Sequence, residues 1–171
     1  TTVDASAFTG KLTAIITATK QSITGGTGDD SFALGNNLSA DTTLDGGAGT
    51  DTISVTDAAD ITALKAANIS NVEVLNADSN DTTSFDPSFI TGLTTLTSSA
   101  ASAGNNVTFV NVPATITNIN VTGTEGVIAT LATDGAADAI TLTLGTATAG
   151  VIVTGQTTLI DYETINLVSN G

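Results

Sequence analysis

The chain has 171 residues and a formal net charge of −14, because seventeen Asp and Glu face only three lysines (Lys11, Lys20 and Lys65) and no arginine. This balance excludes nucleic acids and anionic membrane surfaces as partners and favours cations. Histidine and cysteine are absent, which excludes disulfides, thiolate metal sites and the common Ser-His-Asp and Cys-His catalytic sets. No apolar run reaches the length of about 18 residues that inserts into a bilayer.

Short β-branched runs recur along the chain with turn residues between them. Several alternate apolar residues with Thr or Asn, which is the period of two expected of a strand with one buried face. Their regular spacing fits either a β-solenoid or a β-sandwich. The predicted strands lie within residues 12–17, 51–56, 71–76, 106–112, 114–123, 139–145 and 150–155.

Two stretches interrupt the strand pattern. Residues 57–70 place Ile61 and Leu64 among alanines, which predicts a short amphipathic helix with Asp57 or Asp60 as its N-cap. Residues 85–93 place an aspartate directly before Pro87, which predicts a turn or two of helix, with a loop and a 3₁₀ turn as the alternative. The chain is therefore expected to be β-rich with one or two short helices.

The chain also shows a loose internal repeat. Residues 45–55 align with 133–143, and residues 69–77 align with 159–167. Each half thus carries a glycine-aspartate turn, a strand, and a later strand that begins near a glutamate. This predicts two related segments, 1–80 and 81–171.

The most distinctive sequences are two glycine-aspartate turns, "GGTGDDSFA" at 25–33 and "GGAGTDTIS" at 46–54. Glycine permits backbone conformations in which successive carbonyls face one point, and Ca²⁺ prefers six to eight oxygen ligands from carbonyls and carboxylates. Two such turns stacked on each other predict a shared Ca²⁺, with Phe32 and Ile53 pointing into the coil. Plain β-turns between strands are the alternative interpretation.

The two nonapeptides match the calcium-binding RTX repeat. Together with residues 42–77, "TTLDGGAGTDTISVTDAADITALKAANISNVEVLNA", they make the chain resemble a Gram-negative surface-layer (S-layer) protein of the RTX-related, type I secreted kind. The resemblance is strong over about residues 1–80. Beyond them it is limited to a composition rich in Thr, Ala and Asn and to short β runs. It implies an all-β fold, a parallel β-solenoid or RTX-like β-roll, with Ca²⁺ between stacked turns. For residues 81–171, which either continue the solenoid or form a second β domain, a β-sandwich is the alternative.

The same resemblance assigns the metal ligands residue by residue. Asp30 and Asp51 match the aspartate of the repeat and would be the side-chain ligands, while Asp29 and Asp45 flank the turns as outer ligands. The carbonyl ligands would come from Gly25, Thr27, Gly28, Gly46, Ala48 and Gly49. A partial copy of the turn retains Asp134 and Asp138 but has lost two glycines, so ligation there is doubtful. Glu73 and Glu163 are interpreted as solvated strand positions or as cross-strand partners.

The resemblance implies a structural subunit, or a fragment of one, in a Ca²⁺-stabilised surface layer. Its partners would be further copies of itself and a cell-surface polysaccharide, and its place would be the extracellular cell surface. No catalytic role is expected, because the usual nucleophile and base sets are missing and sugar-binding aromatic residues are scarce. The alternatives are a domain of a large RTX adhesin and an accessory calcium-binding module of a secreted enzyme.

Overall fold

All paired strands of the chain are parallel, and they follow one another as successive coils of a solenoid. The computed structural model describes residues 1–78, 84–101, 105–146, 149–151 and 153–170. In chain order the strands are β1 (Thr2–Asp4), β2 (Thr13–Ile15), β3 (Ser22–Thr24), β4 (Ser31–Gly35), β5 (Thr43–Asp45), β6 (Thr52–Val55), β7 (Ile69–Ser70), β8 (Val74–Ala77), β9 (Ser84–Phe85), β10 (Thr95–Ser98), β11 (Asn106–Val112), β12 (Asn118–Val121), β13 (Gly126–Leu131), β14 (Ala139–Leu144), β15 (Thr158–Ile160) and β16 (Thr164–Ser169).

The even-numbered strands form one eight-stranded sheet, here called the long sheet, in which β2 and β16 are the edges. The odd-numbered strands form two four-stranded sheets: the first short sheet contains β1, β3, β5 and β7, and the second contains β9, β11, β13 and β15. Each coil therefore contributes one strand to a short sheet and one to the long sheet. The prediction of a parallel β-solenoid is confirmed, and the β-sandwich alternative for the C-terminal half is wrong.

The coils become longer along the chain. Ser31 pairs with a residue 18 positions earlier, Thr52 with one 21 positions earlier, and Asn166 with one 25 positions earlier. The short-sheet strand changes from the first to the second sheet between β7 and β9, while the long sheet runs uninterrupted past residue 80. The proposed boundary at 80 and 81 falls among residues 79–83, outside the described residues.

Inward-facing side chains stack in columns from coil to coil and form the core. In the long sheet one column consists, in register, of Ala14, Phe32, Ile53, Leu75, Leu96, Ile119, Leu142 and Leu167. The six members from Phe32 to Leu142 are at most 6% exposed, and each buried side chain of this size stabilises the fold by about 1.5–3 kcal/mol. Phe85 and Phe109 stack likewise in the second short sheet, with ring centroids 6.0 Å apart.

The predicted helix at 57–70 is divided into two pieces. Asp57 caps a 3₁₀ turn at Ala58–Asp60 by accepting the Ala59 amide at 2.8 Å, and a single α-helical turn, α1, spans Ala63–Ala66. The break occurs at Ile61, whose side chain is buried in the core and whose backbone leaves the helical region. Asp60 is therefore not a cap.

The second predicted helix is a 3₁₀ turn at Pro87–Phe89, and Asp86 caps it by accepting the Ser88 amide. The predicted strand at 150–155 does not form at 150, 151 or 153–155, and residue 152 lies outside the described residues. In the described part of the chain, no helix has the length and apolarity needed to cross a membrane.

Candidate metal centre

The two glycine-aspartate turns lie directly on each other at the corner where the chain passes from the first short sheet to the long sheet. The Ala48 amide donates to the Gly26 carbonyl at 2.9 Å, and the Gly25 amide donates to the Asp45 carbonyl at 2.8 Å. The Thr50 amide donates to the Asp29 carboxylate at 2.8 Å. The two turns are therefore stacked on each other, as the two nonapeptides predict.

Glycine is required here because the backbones of adjacent turns approach so closely. A Cβ atom on Gly25 would collide with the Gly46 carbonyl, and one on Gly46 would collide with the Asn71 carbonyl. Gly49 has a φ of +126° and faces the Gly28 carbonyl across the same contact. The carbonyl oxygens of Gly28 and Gly46 thus lie between the stacked turns, and their role as metal ligands stays a prediction.

Three carboxylates, of which those of Asp30 and Asp51 are buried, connect the coils at this corner. The Glu73 carboxylate accepts the Asp51 amide at 2.8 Å, the Asp51 carboxylate accepts the Asp30 amide at 2.7 Å, and the Asp30 carboxylate accepts the Leu12 amide at 2.7 Å. Each acidic side chain therefore binds the backbone of the preceding coil. The second oxygen of Asp30 also accepts an amide, that of Gly26, at 2.7 Å.

Asp51 is the member of this series that retains an unused oxygen. Its side chain is fully buried, and Oδ2 has no hydrogen-bond partner among the described residues. Burial raises the pKa of this carboxyl to about 6, the Asp30 amide opposes the rise, and the charges of Asp30, Glu73 and Asp29 add to it. A buried, unpaired anionic oxygen among other carboxylates fits a cation with a preference for oxygen ligands.

The carboxylates of the flanking aspartates, Asp29 and Asp45, already accept hydrogen bonds in and beside the turns. Asp45 accepts the Gly47 amide at 3.1 Å and the Asn71 side-chain amide at 2.7 Å, whereas Asp29 accepts the Thr50 amide. The two remaining residues predicted to ligate through their carbonyls, Thr27 and Ala48, donate their amides to the preceding coil. These contacts hold both turns in shape.

A second acidic cluster lies at the C-terminal end of the long sheet. The carboxylates of Asp134, Asp138 and Glu163 each place one oxygen within 4.8 Å of the others, which is close enough to share a metal ion. The Glu163 carboxylate accepts the Asp138 amide at 2.6 Å, and the Asp138 carboxylate accepts the Gly135 amide at 2.5 Å. The first contact repeats that of Glu73 with the Asp51 amide, and the second repeats that of Asp30 with the Gly26 amide.

The two glutamates stand in equivalent three-residue corners. Asn71 and Asp161 adopt positive φ angles of 51° and 69°, and each is followed by an inward residue and then by the glutamate. In the second corner the inward residue is Tyr162, whose hydroxyl is buried and has no hydrogen-bond partner in the described part of the chain. Burial, with the charge of Asp138, raises the pKa of Tyr162 to about 12, so the phenol stays a neutral donor.

The sequence predicts solvated strand positions or cross-strand partners for Glu73 and Glu163; Glu163 is exposed, Glu73 is half-buried, and each accepts the amide of an aspartate in the preceding coil. The usable signal was their spacing: they follow Asp51 and Asp138 by 22 and 25 residues, which is one coil in each case. The internal repeat already aligned them with each other.

The chain matches no protein-family model, no curated protein and no solved structure. The resemblance to RTX-related surface-layer proteins therefore remains a prediction from the sequence. The solenoid and its two acidic corners are the features from which a function can be inferred.

Proposed function

We propose that the chain is a structural element of a bacterial surface layer, a β-solenoid whose coils are held together by Ca²⁺ at its acidic corners. The observation that carries the proposal is the buried Asp51 oxygen without a partner, situated between two stacked glycine turns. Such a group is costly in a metal-free protein and becomes favourable when a cation neutralises it.

At the first corner the cation would be held by Asp51 and Asp30, with carbonyl oxygens of the glycine turns as further ligands. At the second corner Asp134, Asp138 and Glu163 would hold it. Ca²⁺ suits both corners because it accepts several carboxylate and carbonyl oxygens in flexible geometry, whereas Mg²⁺ requires a nearly ideal octahedron. Each ion supplies positive charge between successive coils, and the chain's own carboxylates keep the coils in register.

A structural role agrees with the composition and the fold. The chain has neither His nor Cys, and its three lysines are scattered, so no catalytic role is proposed. A parallel solenoid with outward Thr, Ser and Asn side chains is suited to a rigid building unit at the cell surface. The proposal includes self-association as the way in which such units form a layer.

The test compares thermal unfolding in EDTA, in Mg²⁺ and in about 10 mM Ca²⁺. With the weak affinities typical of extracellular sites, roughly 10⁻⁴–10⁻³ M, Ca²⁺ should stabilise the fold by about 1.5–2.5 kcal/mol. This corresponds to a rise in melting temperature of roughly 3–10 °C. Identical melting curves in EDTA and Ca²⁺ would refute the metal sites.

Electron microscopy of the same samples separates the structural role from its alternatives. A surface-layer subunit should form planar arrays when Ca²⁺ is added, whereas an adhesin domain or an accessory module should be stabilised but remain monomeric. Stabilisation without assembly would retain the metal sites and refute the surface-layer role.

A further inference from the structure

The outer side of the long sheet carries no charged side chain on any of its eight strands, whereas the first short sheet presents Asp4 and Asp45. Two outward residues from each of the eight strands form two columns, which begin with Thr13 and Ile15 in β2 and end with Asn166 and Val168 in β16. We call these sixteen residues the neutral face. None of them is Asp, Glu or Lys, although the chain contains seventeen acidic residues.

The acidic side chains are concentrated at the corners instead. Asp30, Asp51 and Glu73 stand directly before their long-sheet strands, and Asp138 and Glu163 do the same near the C-terminal end. Asp78 follows the last residue of β8 and so stands at the margin of the neutral face. The face is therefore a neutral strip with acidic edges.

The chemistry of the strip is self-complementary. In its C-terminal half the adjacent strands β10, β12 and β14 present Thr95, Thr97, Asn118, Asn120, Thr141 and Thr143 in register. Hydroxyl and amide groups both donate and accept hydrogen bonds, so one copy of this surface can bind another without a charged partner. Within one copy such a bond already joins Asn76 to Ser54 at 3.2 Å.

We infer that the neutral face is the surface through which a second copy of this chain binds side by side. This inference rests on the proposed structural role and names its contact surface. Two copies that each carry a charge of −14 repel each other over their acidic surfaces, and the repulsion is small where the neutral faces, which extend over eight strands, meet. Cations bound at the corners reduce the remaining repulsion at the edges.

The dimensions of the face indicate how strong the contact is. Eight strands at a spacing of about 4.8 Å, and about four residues of strand at 3.3 Å each, cover roughly 500 Å² per copy. Two copies bury about 1,000 Å², which is below the range of stable dimers and typical of a weak contact. Association should therefore depend on concentration and become strong only when many copies assemble.

The experiment measures self-association of the full chain by sedimentation velocity over a range of concentrations in Ca²⁺. In the double variant T97D/T143D two like charges per copy face their counterparts, so association should weaken at least tenfold. The matched control T2D/T43D adds the same charge on the outer side of the first short sheet, which already carries Asp4 and Asp45, and should associate like the wild type. Equal weakening in both variants, or in neither, would overturn the inference.

A cysteine probe gives a second measurement that does not depend on charge. The chain contains no cysteine, so T97C introduces one thiol in the middle of the face and T43C one on the first short sheet. Mild oxidation should produce covalent dimers of T97C and not of T43C. Equal yields would overturn the inference.

Melting curves of the same samples separate this inference from the proposed function. A Ca²⁺-stabilised wild type that stays monomeric overturns the neutral face and leaves the metal sites intact. Association through the face without any Ca²⁺ stabilisation would support the neutral face and refute the metal sites. A monomeric wild type that binds insoluble cellulose, with binding lost in T97D/T143D, would overturn self-association and assign the face to a neutral polysaccharide.

Discussion

Replacing Asp51 with asparagine isolates the buried carboxylate from the other acidic groups. Asparagine keeps an oxygen that can accept the Asp30 amide but cannot ionise. The variant therefore retains the hydrogen bond between the coils and loses the negative charge that requires a cation. Any cost of burying the new amide is the same at every pH and does not affect the comparison of pH dependences.

The expected magnitude follows from the pKa of Asp51. In the metal-free protein burial raises it to about 6 from an ordinary value of 3.8, so the folded state binds the proton more tightly than the unfolded chain. The resulting stabilisation is complete below about pH 4 and is lost as the pH rises through 6. Since one pKa unit corresponds to 1.36 kcal/mol, the loss amounts to about 3 kcal/mol. Ca²⁺ acts in the opposite direction, because it binds the ionised carboxylate and its stabilising effect should disappear as the pH falls below about 6.

The assay is urea denaturation between pH 3.5 and 8, in EDTA and in Ca²⁺, for the wild type, D51N and the control D78N at an exposed aspartate. In EDTA the free energy of unfolding of the wild type should fall relative to that of D51N by about 3 kcal/mol over this range. In Ca²⁺ above pH 6 the wild type should regain stability and D51N should not. Parallel pH dependences of wild type and D51N, or equal Ca²⁺ effects at pH 5 and pH 8, would refute the reasoning.

Two further predictions concern the close stacking and the buried ion pair. Gly46→Ala should lower the free energy of unfolding by more than about 3 kcal/mol, because the new Cβ would collide with the Asn71 carbonyl. Gly35→Ala has space for a Cβ and should cost only about 1–2 kcal/mol for its positive φ. Equal losses of stability in thermal unfolding would contradict the close stacking of the turns. Lys65→Met should cost about 2–3 kcal/mol by leaving the buried Asp60 carboxylate without its partner at 2.9 Å, and the double variant D60N/K65M should recover most of it in urea denaturation. A double variant as unstable as the single one would contradict the role of the pair.

The solenoid could be predicted from the sequence because its two determinants are local. Alternation of apolar and polar residues identifies the strands, and the glycine-aspartate turns identify the corner at which adjacent coils approach. Phe32 and Ile53 occupy equivalent places in the two nonapeptides, and they pair with each other in the structure. Each copy of the nonapeptide therefore belongs to one coil of the solenoid.

What could not be predicted depends on contacts between coils. The helix at 57–70 is divided because Ile61 is drawn into the core, a tertiary effect that overrides local helix propensity. Glu73 looks like a solvated residue within its own strand. Its role becomes visible only when the preceding coil places the Asp51 amide beside it. A loss of glycines at 134–138 suggested a lost site, yet Glu163 from the next coil supplies a further carboxylate.

The distribution of charge gives these features a common physical basis. A parallel solenoid stacks equivalent residues of successive coils at a spacing of about 4.8 Å, so an acidic residue repeated at one position builds a column of like charges. At the corners backbone amides face this column, as the Asp30, Asp51 and Glu73 series shows, and the proposed cation would neutralise it further. On an outward strand face, only water and a neighbouring copy would be next to the same column of like charges. Acids at the corners and neutral residues on the long sheet are thus what a cation-bound, laterally associating solenoid requires, and a T97D/T143D variant with unchanged Ca²⁺ stabilisation would separate the two roles.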